Sequence, residues 1–167
     1  MDKNTIVIAI DHGWSACKTS NFVFCSGVRE ITTEPAIYDN VVQYDGRYFK
    51  IGSERLKVKD TKVEDDNYYI LTLAAIAKEL KLKGRKSATL LLAVGLPLTR
   101  FGAEKSDFIR YLMRARNVTF LFEKEEYSVN IEKVVVYPQC YGAVVDRLHK
   151  MPGKALAVDI GSWTLDI

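Results

Sequence analysis

The chain has 167 residues, of which 48% are hydrophobic and 27% are charged. These fractions are ordinary for a globular protein, and they exclude a collagen-like, coiled-coil or wholly disordered chain. The 24 Lys and Arg residues against 21 Asp and Glu residues leave a net charge of +3, which is too small to indicate nucleic acid as the main ligand.

Strands are predicted for the first third of the chain. Ile6–Ile10 is uniformly apolar and ends in Asp-His-Gly, a pattern typical of a buried strand that runs into a turn. Lys18–Phe24 alternates polar and apolar residues, so we expect it to return as an antiparallel partner. Val28–Thr33 is predicted to be the third strand of this meander. Val41–Tyr44 and Tyr48–Ile51 are predicted to form a hairpin, because the Asp-Gly between them supplies the positive φ angles of a two-residue turn.

A charged connector, a helix and a buried strand are predicted next. Residues 54–66 alternate in charge, which is typical of a solvated segment. The helix begins near Asn67 and ends at Gly84, a usual residue after a helix C-terminus. Thr89–Val94 is uniformly apolar, which favours a central parallel strand buried on both faces. The residues expected on the inward face of the helix are Ile70, Leu73, Ala74, Ala77 and Leu80.

The remainder of the chain is predicted to continue this alternation, which indicates an α/β fold. The expected elements are a helix over Glu104–Ala115, strands over Val118–Phe122, Tyr127–Ile131 and Lys133–Tyr137, a short helix that starts at or just after Pro138 and runs to about His149, and a strand over Ala155–Ile160.

Two Asp-x-Gly turns are the candidate chemical sites. Asp11-His12-Gly13 and Asp159-Ile160-Gly161 each follow an apolar strand. Each places a carboxylate at a strand end, followed by a glycine that lets backbone approach a ligand without a Cβ in the way. The small residues Ser15, Ala16 and Ser162 leave successive N–H groups able to surround an anion. Two such hairpins facing each other would clasp a polyphosphate.

The carboxylates of these turns are suited to magnesium. Asp11 and Asp159 would hold Mg²⁺ through its water shell, because Mg²⁺ keeps several of its waters when it binds protein. Lys18, five residues beyond Gly13, lies on the returning strand and can reach back toward the phosphates.

Ile10–Lys18 and Val158–Ile167 resemble the phosphate-1 and phosphate-2 motifs of the actin, hexokinase and Hsp70 superfamily. Within that superfamily the resemblance is closest to prokaryotic actin-like proteins of the plasmid-segregating ParM and StbA type. Gly95-Leu96-Pro97, followed by a helix that carries Glu104 and Lys105, is similar to that group as well. So is Tyr137–Ala143, where the family carries its connecting motif.

The resemblance implies an RNase H-like (actin-like ATPase) subdomain, an α/β mixed sheet with an antiparallel meander and flanking helices. Residues 1–154 correspond to the N-terminal domain, with the phosphate-1 motif and the connecting helix. Residues 155–167 correspond to the opening hairpin of a second domain that is otherwise absent from these 167 residues. ATP and Mg²⁺ are expected in the cleft between the two halves, and this chain alone is expected to be inactive as an ATPase.

The resemblance also implies roles for individual residues. Gln139 sits where the family has a Gln or Glu that positions the attacking water, and a glutamine is a poor general base, so slow hydrolysis is expected. Gln139 and Asp159 are the candidate catalytic residues, and Asp11 and Asp159 the candidate magnesium ligands through water. The residues expected to contact the nucleotide are Asp11, Gly13, Trp14, Ser15, Lys18, Gly161, Ser162, Trp163 and Thr164.

In function, the resemblance implies Mg·ATP-dependent filaments that separate plasmid or similar DNA. The expected partners are further copies of the chain and a DNA-bound adaptor, with no direct contact to nucleic acid. Exposed C-terminal strands would favour a dimer through residues 155–167.

Three other functions remain open from the residues alone. The first is a non-enzymatic half-domain for self-assembly or adaptor binding. The second is a sugar or carboxylate kinase of the same superfamily, although no sugar-binding segment follows the first turn. The third is an RNase H-like nuclease, which needs further acidic ligands and leaves Lys18 poorly placed beside two metal ions.

Several residues near the two turns also have plain structural interpretations. We expect Trp14 and Trp163 to pack or lie at the surface, His12 to face solvent or cap a turn, and Cys17 to be an inert strand residue.

The compartment is indicated by the cysteines and by the hydropathy pattern. Cys17, Cys25 and Cys140 are irregularly spaced, which indicates reduced thiols. The longest apolar run, Leu90–Leu98, is far shorter than the roughly 20 residues that a membrane-spanning helix needs. We therefore expect a cytoplasmic protein that does not contact a membrane.

Overall fold

The computed structural model describes residues 5–53, 61–139, 141–148, 150, 153, 156, 158–160 and 165–166. These residues form one large mixed sheet, a separate two-stranded hairpin and three helices. The elements are β1 (Thr5–His12), β2 (Ala16–Thr19), β3 (Val23–Cys25), β4 (Val28–Ile31), β5 (Val41–Tyr44), β6 (Arg47–Ile51), α1 (Asn67–Leu82), β7 (Ser87–Leu96), α2 (Leu98–Leu112), β8 (Asn117–Phe122), β9 (Glu125–Pro138), α3 (Tyr141–Leu148), β10 (Asp159–Ile160) and β11 (Leu165–Asp166).

The centre of the large sheet is parallel and its flanks are antiparallel. The strand order is β3-β2-β1-β7-β9-β8-β5-β6-β4. β7 pairs in parallel with β1 on one side and with β9 on the other, which confirms the predicted central parallel strand. Its expected burial on both faces is wrong for one face, where Leu91 and Ala93 are only partly buried. The β1–β2–β3 side is an antiparallel meander, so the expected α/β mixed sheet with an antiparallel meander is confirmed.

The sheet bends around α1. Its two edge strands, β3 and β4, are joined only by Ser26-Gly27, so the two edges must come close together. α1 packs against β1, β2, β4, β5, β6 and β8, and 12 of its 16 residues are buried. The prediction of a single inward face was therefore incomplete, because Leu71 and Ile76 lie off that face and are also fully buried. A helix that is apolar all round is typical of the inside of a core.

One charged residue of α1 is buried and fully hydrogen-bonded. Glu79 accepts hydrogen bonds from the Thr19 hydroxyl at 2.6 Å, the Asn21 side-chain amide at 2.8 Å and the Asn21 backbone N–H at 3.1 Å. Burial acts to raise the pKa of Glu79, but these hydrogen bonds outweigh it and the net pKa is lowered. These hydrogen bonds hold the short β2–β3 connection against α1.

Glu79→Gln should therefore destabilise the fold, by about 1.5–3 kcal/mol at neutral pH, the range for hydrogen bonds to a charged group. The lowered pKa means that the contribution of Glu79 is present above its ordinary pKa of 4.5 and is lost as the pH falls through its folded-state pKa. Urea unfolding at pH 7 and at pH 4 measures both effects. Glu126→Gln, at an exposed position of β9, is the matched control, and equal loss in the two variants would contradict this role.

Five predicted elements differ from the structure. Lys18–Phe24 is not one strand, because a turn closed by a Thr19 N–H to Phe22 carbonyl hydrogen bond of 2.8 Å separates β2 from β3. β4 does not extend the meander but pairs with β6 at the opposite edge. The two strands predicted on either side of Glu132 are one strand, β9, in which Glu132 is skipped in the pairing with β7 as a bulge. α2 begins directly after Pro97 and ends at Leu112 rather than spanning Glu104–Ala115.

The predicted Asp-Gly hairpin is confirmed. β5 pairs with β6, and Asp45 and Gly46 have φ angles of 51° and 71°, as a type I′ turn requires. Of the predicted strand Ala155–Ile160, only Asp159–Ile160 forms a strand, β10, which pairs with β11. Leu156 and Val158 lie in no strand, and residues 155 and 157 lie outside the described residues. Within the described part of the chain, no helix is both long enough and apolar enough to cross a membrane.

Candidate functional site

Three neighbouring parallel strands end at the same edge of the sheet and bring Asp11, Gly95 and Gln139 together. Ile10 pairs with Val94 across β1 and β7, and Gly95 pairs with Tyr137 across β7 and β9. The Gln139 side-chain nitrogen donates a hydrogen bond of 3.0 Å to Asp11 Oδ1. An ionised carboxylate only accepts hydrogen bonds, so the amide nitrogen must face Asp11. Residues that are 128 positions apart are thus in direct contact.

Lys18 lies directly opposite Asp11 in the β1–β2 pair. Its Nζ is 3.7 Å from Asp11 Oδ2, and the two side chains are 56% and 44% exposed. An ion pair this exposed contributes under about 1 kcal/mol to stability. The pair therefore adds little to the stability of the fold. Its two opposite charges are accessible to a ligand.

The turn between Asp11 and Lys18 is tight. A Cβ added at Gly13 would lie 2.6 Å from the Ala16 carbonyl oxygen, a distance that real Cβ atoms do not adopt. The Ser26 hydroxyl donates to the Gly13 carbonyl at 2.7 Å, and the Ser26 N–H donates to the Ser15 carbonyl at 3.2 Å. Trp14 is partly buried and packs against the hydrophobic core, in line with the packing interpretation.

Gly13→Ala should shift this turn, because the obstructing atom is backbone and cannot rotate away. We expect a loss of about 1–3 kcal/mol in the free energy of unfolding, the usual range for overpacking. Gly102→Ala is the matched control, since nothing lies within 4 Å of its added Cβ and alanine in a helix is favoured by about 0.5–1 kcal/mol. Urea unfolding of both variants measures the difference. A Gly13→Ala protein as stable as wild type would mean that the turn is looser than described.

Gly95 gives Gln139 the room to reach Asp11. A Cβ added at Gly95 would lie 3.0 Å from Gln139 Cγ and 3.9 Å from Asp11 Oδ1. The Gln139 backbone N–H donates to the Leu96 carbonyl at 2.8 Å, which holds the start of the connection to α3 beside the end of β7. Any larger residue at position 95 would push Gln139 away from the carboxylate.

His12 is buried, so the prediction that it faces solvent or caps a turn was wrong. Only 1% of it is exposed. The Thr72 hydroxyl donates to the Tyr68 carbonyl at 2.8 Å, so its oxygen accepts the 2.8 Å hydrogen bond from His12 Nε2. Burial, and after it the charge of Lys62, lower the pKa of His12 well below 6.5. The imidazole is therefore neutral, with its proton on Nε2.

Cys17 agrees with its prediction as an inert strand residue. It is fully buried, and burial raises the pKa of its thiol to about 12. At neutral pH the thiol is protonated, and a protonated thiol is a poor nucleophile and metal ligand.

Lys62 is a site-adjacent residue that the sequence does not reveal. It falls in the alternating charges of residues 54–66, of which 54–60 lie outside the described residues. Its Nζ donates to the His12 carbonyl at 2.9 Å and to the Gly95 carbonyl at 3.3 Å. The prediction of a solvated connector is wrong at this residue, because alternating charge does not show which lysine turns inward.

A cavity of about 870 Å³ opens beside these residues, between the sheet and α3. One end is polar, where it is lined by Asp11, Lys18 and Gln139. The volume lies within the usual range of roughly 300–1,000 Å³ for small-molecule sites. The apolar side chains that line the rest include Ala9, Ala93, Val144, Val145 and Val158.

The second Asp-x-Gly hairpin repeats the pairing of the first. Asp159 pairs with Asp166 and Ile160 with Leu165, the same offsets that relate Asp11 to Lys18 and His12 to Cys17. The side chain of Asp159 and residues 161–164 lie outside the described residues. The assignments to Asp159, Gly161, Ser162, Trp163 and Thr164 therefore stay predictions.

The described donors suit a magnesium ion held through water. Asp11 presents a partly exposed carboxylate, the hard oxygen donor that Mg²⁺ prefers. The part of the chain that the structure describes has no group of three or more His, Cys, Asp or Glu side chains that could hold a metal ion. Among the described side chains, Asp11 can therefore supply one anchor for the ion, with water completing its shell.

Comparisons with known proteins agree with this architecture. Residues 9–142 match the family described as actin-like proteins N-terminal domain. A search of curated proteins found no match. The archaeal actin homologue Ta0583 is 22% identical, with a TM-score of 0.74 over 95% of this chain and 55% of that one. Apo pSK41 ParM is 15% identical, with a TM-score of 0.68 over 87% of this chain and 53% of that one.

A third solved structure, the AlfA filament bound to AMPPNP, is 17% identical, with a TM-score of 0.64 over 84% of this chain and 56% of that one. The chain thus spans about half the length of these proteins, and at such identities the likeness shows a shared fold. Because the family match covers most of its residues, the chain belongs to the actin-like proteins, whose N-terminal domain it matches.

Proposed function

We propose that this chain supplies one half of a Mg·ATP site in a protein that forms nucleotide-dependent filaments and segregates plasmid or similar DNA. The observation that carries the proposal is the convergence of Asp11, Lys18 and Gln139 at the ends of β1, β2 and β9. The shared fold of an AlfA filament bound to AMPPNP and of Ta0583 in complex with ADP adds support.

The phosphates are assigned to the β1–β2 turn. Lys18 offers an exposed ammonium, and the backbone N–H groups of Gly13, Trp14 and Ser15 are the proposed donors to phosphate oxygens, as in other anion-binding turns. The tight turn at Gly13 would fix these donors before the ligand arrives.

Asp11 is assigned to magnesium and Gln139 to the attacking water. Bound Mg²⁺ would neutralise charge on the phosphates. Gln139 donates through its nitrogen to Asp11, so its amide oxygen is the atom that would orient a water. An amide takes up no proton, so hydrolysis is expected to be slow.

The opposite wall of the site is assigned to the second hairpin. Asp159 would be the second anchor for magnesium through water, and Gly161, Ser162, Trp163 and Thr164 would contact the phosphates. The matching registers of the two hairpins support this assignment. Because both walls are needed, these 167 residues alone are expected not to hydrolyse ATP.

The proposed partners are further copies of the protein and a DNA-bound adaptor. Self-association is supported by the filament structure of AlfA, which shares this fold. The net charge of +3 is too small to favour direct DNA binding, so the cargo would be engaged through the adaptor, in the cytoplasm.

Sedimentation of the whole protein tests this proposal. We expect it to pellet with Mg·ATP, and to stay in solution with no nucleotide or with ATP and EDTA. Equal pelleting under all three conditions would favour the non-enzymatic assembly function. Transfer of the ATP γ-phosphate to a sugar or a carboxylate would favour the kinase instead.

A further inference from the structure

The Lys62 ammonium lies on the helix side of the strand ends, behind the candidate site. Side chains alternate along a strand, so Asp11 lines the cavity while His12 faces α1 and α2. Lys62 Nζ is on the His12 side, 5.5 Å from the centre of the Tyr68 ring and 5.8 Å from that of Phe108. Part of the residue is exposed, but its charged end lies among carbonyls and aromatic rings.

The two hydrogen bonds of Lys62 connect the ends of two different strands. One goes to the carbonyl of His12, the residue after Asp11, and the other to the carbonyl of Gly95, which lies against Gln139. The ammonium therefore connects the backbone next to Asp11 with the backbone of Gly95. Gly95 is the residue whose lack of a side chain leaves room for the Gln139 amide.

The charge of Lys62 also interacts with that of Asp11. Burial lowers the pKa of Lys62 to about 8, and the charges of Asp11 and Glu104 oppose this shift. At neutral pH the ammonium is thus protonated, donates its hydrogen bonds and stands behind the Asp11 carboxylate. Burying the charged end of a lysine lowers the stability of the fold, because the ammonium loses its hydration. This cost suggests that Lys62 has a role other than packing.

We infer that Lys62 is a positioning residue of the proposed nucleotide site: it bridges the ends of β1 and β7 and so holds Gln139 against Asp11. This inference rests on the proposed function for its effect on hydrolysis. The bridge itself can be tested with no nucleotide present.

Lys62→Met is the variant of choice. Methionine is unbranched and keeps contact with the Tyr68 and Phe108 rings, while it removes the charge and both hydrogen bonds. Lys78→Met is the matched control. Lys78 also has its ammonium near two aromatic rings, those of Phe24 and Phe122, and donates to Asn40 at 2.6 Å, away from the site.

Hydrogen exchange of the whole protein without nucleotide tests the bridge. In Lys62→Met we expect the amides of residues 12–18 and of Gly95 and Leu96 to exchange about tenfold faster or more, because loss of one buried hydrogen bond of about 1–3 kcal/mol raises local opening by such factors. The amides of α1 should be unaffected, and Lys78→Met should match wild type at the site. Equal exchange in Lys62→Met and wild type at both segments would overturn the inference.

ATP hydrolysis then tests whether Lys62 acts through Gln139. Lys62→Met should lower kcat by about tenfold or more, since small misplacements of catalytic groups have large effects, and leave KM within about threefold because phosphate contacts persist. The double variant with Gln139→Ala should be no slower than Gln139→Ala alone, whereas independent or purely structural losses would multiply. Multiplying losses would overturn the inference. A wild type that binds no Mg·ATP would refute the proposed function instead, and the exchange experiment still decides the bridge.

Discussion

Asp11→Ala is expected to abolish Mg·ATP-dependent sedimentation and leave the fold intact. The substitution removes the proposed magnesium anchor and the acceptor of the Gln139 hydrogen bond in one step. Loss of residues that support a bound metal typically costs about 10–100-fold in affinity, so nucleotide binding should weaken by at least that factor. The fold should survive, because the Asp11 side chain is 44% exposed and its ion pair with Lys18 is long. Sedimentation, nucleotide titration and urea unfolding measure the three quantities.

Two further variants separate charge from structure. Asp11→Asn keeps an oxygen that can accept the Gln139 hydrogen bond but removes the charge, so it should bind Mg·ATP almost as weakly as the alanine variant. Asp107→Ala removes an exposed carboxylate of α2 that pairs with Arg110, and nucleotide binding should be unchanged. If Asp11→Ala pellets with Mg·ATP as wild type does, the assignment of the site is wrong.

Leu71→Ala should destabilise the protein by about 3 kcal/mol, within the range of about 2–5 kcal/mol for buried leucines. Leu71 is fully buried although it lies off the helix face predicted from the sequence. The large effect follows because the sheet bends around α1 and leaves no solvent side at this position, so the cavity cannot be filled by water or by rearrangement at a surface.

Leu82→Ala is the control for this prediction, since Leu82 is on the same helix but 59% exposed. Surface substitutions of this kind change stability by about 0.5 kcal/mol or less. Urea unfolding of both variants at one pH gives the comparison. Equal, small losses would mean that α1 packs on one face only and that the sheet does not enclose it.

The sequence predicted those elements whose structure depends mainly on their own residues. Asp45-Gly46 predicts its turn because few residue pairs adopt two positive φ angles. The uniformly apolar β7 predicts its central place because such a composition is typical of strands inside a parallel sheet, although only one of its two faces is fully buried. The pairing of β4 with β6 could not be predicted, because it depends on the closure of the sheet around α1 and not on the residues of β4 itself.

In the candidate site, too, local contacts could be predicted from the sequence and contacts that depend on the fold could not. The short separation of Asp11 and Lys18 in sequence predicts that they meet across a turn. The contact of Gln139 with Asp11 arises from the parallel order of β1, β7 and β9, and the sequence predicted it only through a family resemblance. Lys62 had no signal, because its burial is set by the Tyr68 and Phe108 rings and two distant carbonyls.

Calorimetric titration of the whole protein with Mg·ATP tests the central claim most directly. A site built on Asp11 and Lys18 predicts saturable binding of one nucleotide per chain, which weakens strongly when EDTA removes magnesium and when Lys18 is replaced by methionine. No binding, or binding of equal affinity with EDTA present and in Lys18→Met, would contradict the proposal that these strand ends form half of a Mg·ATP site.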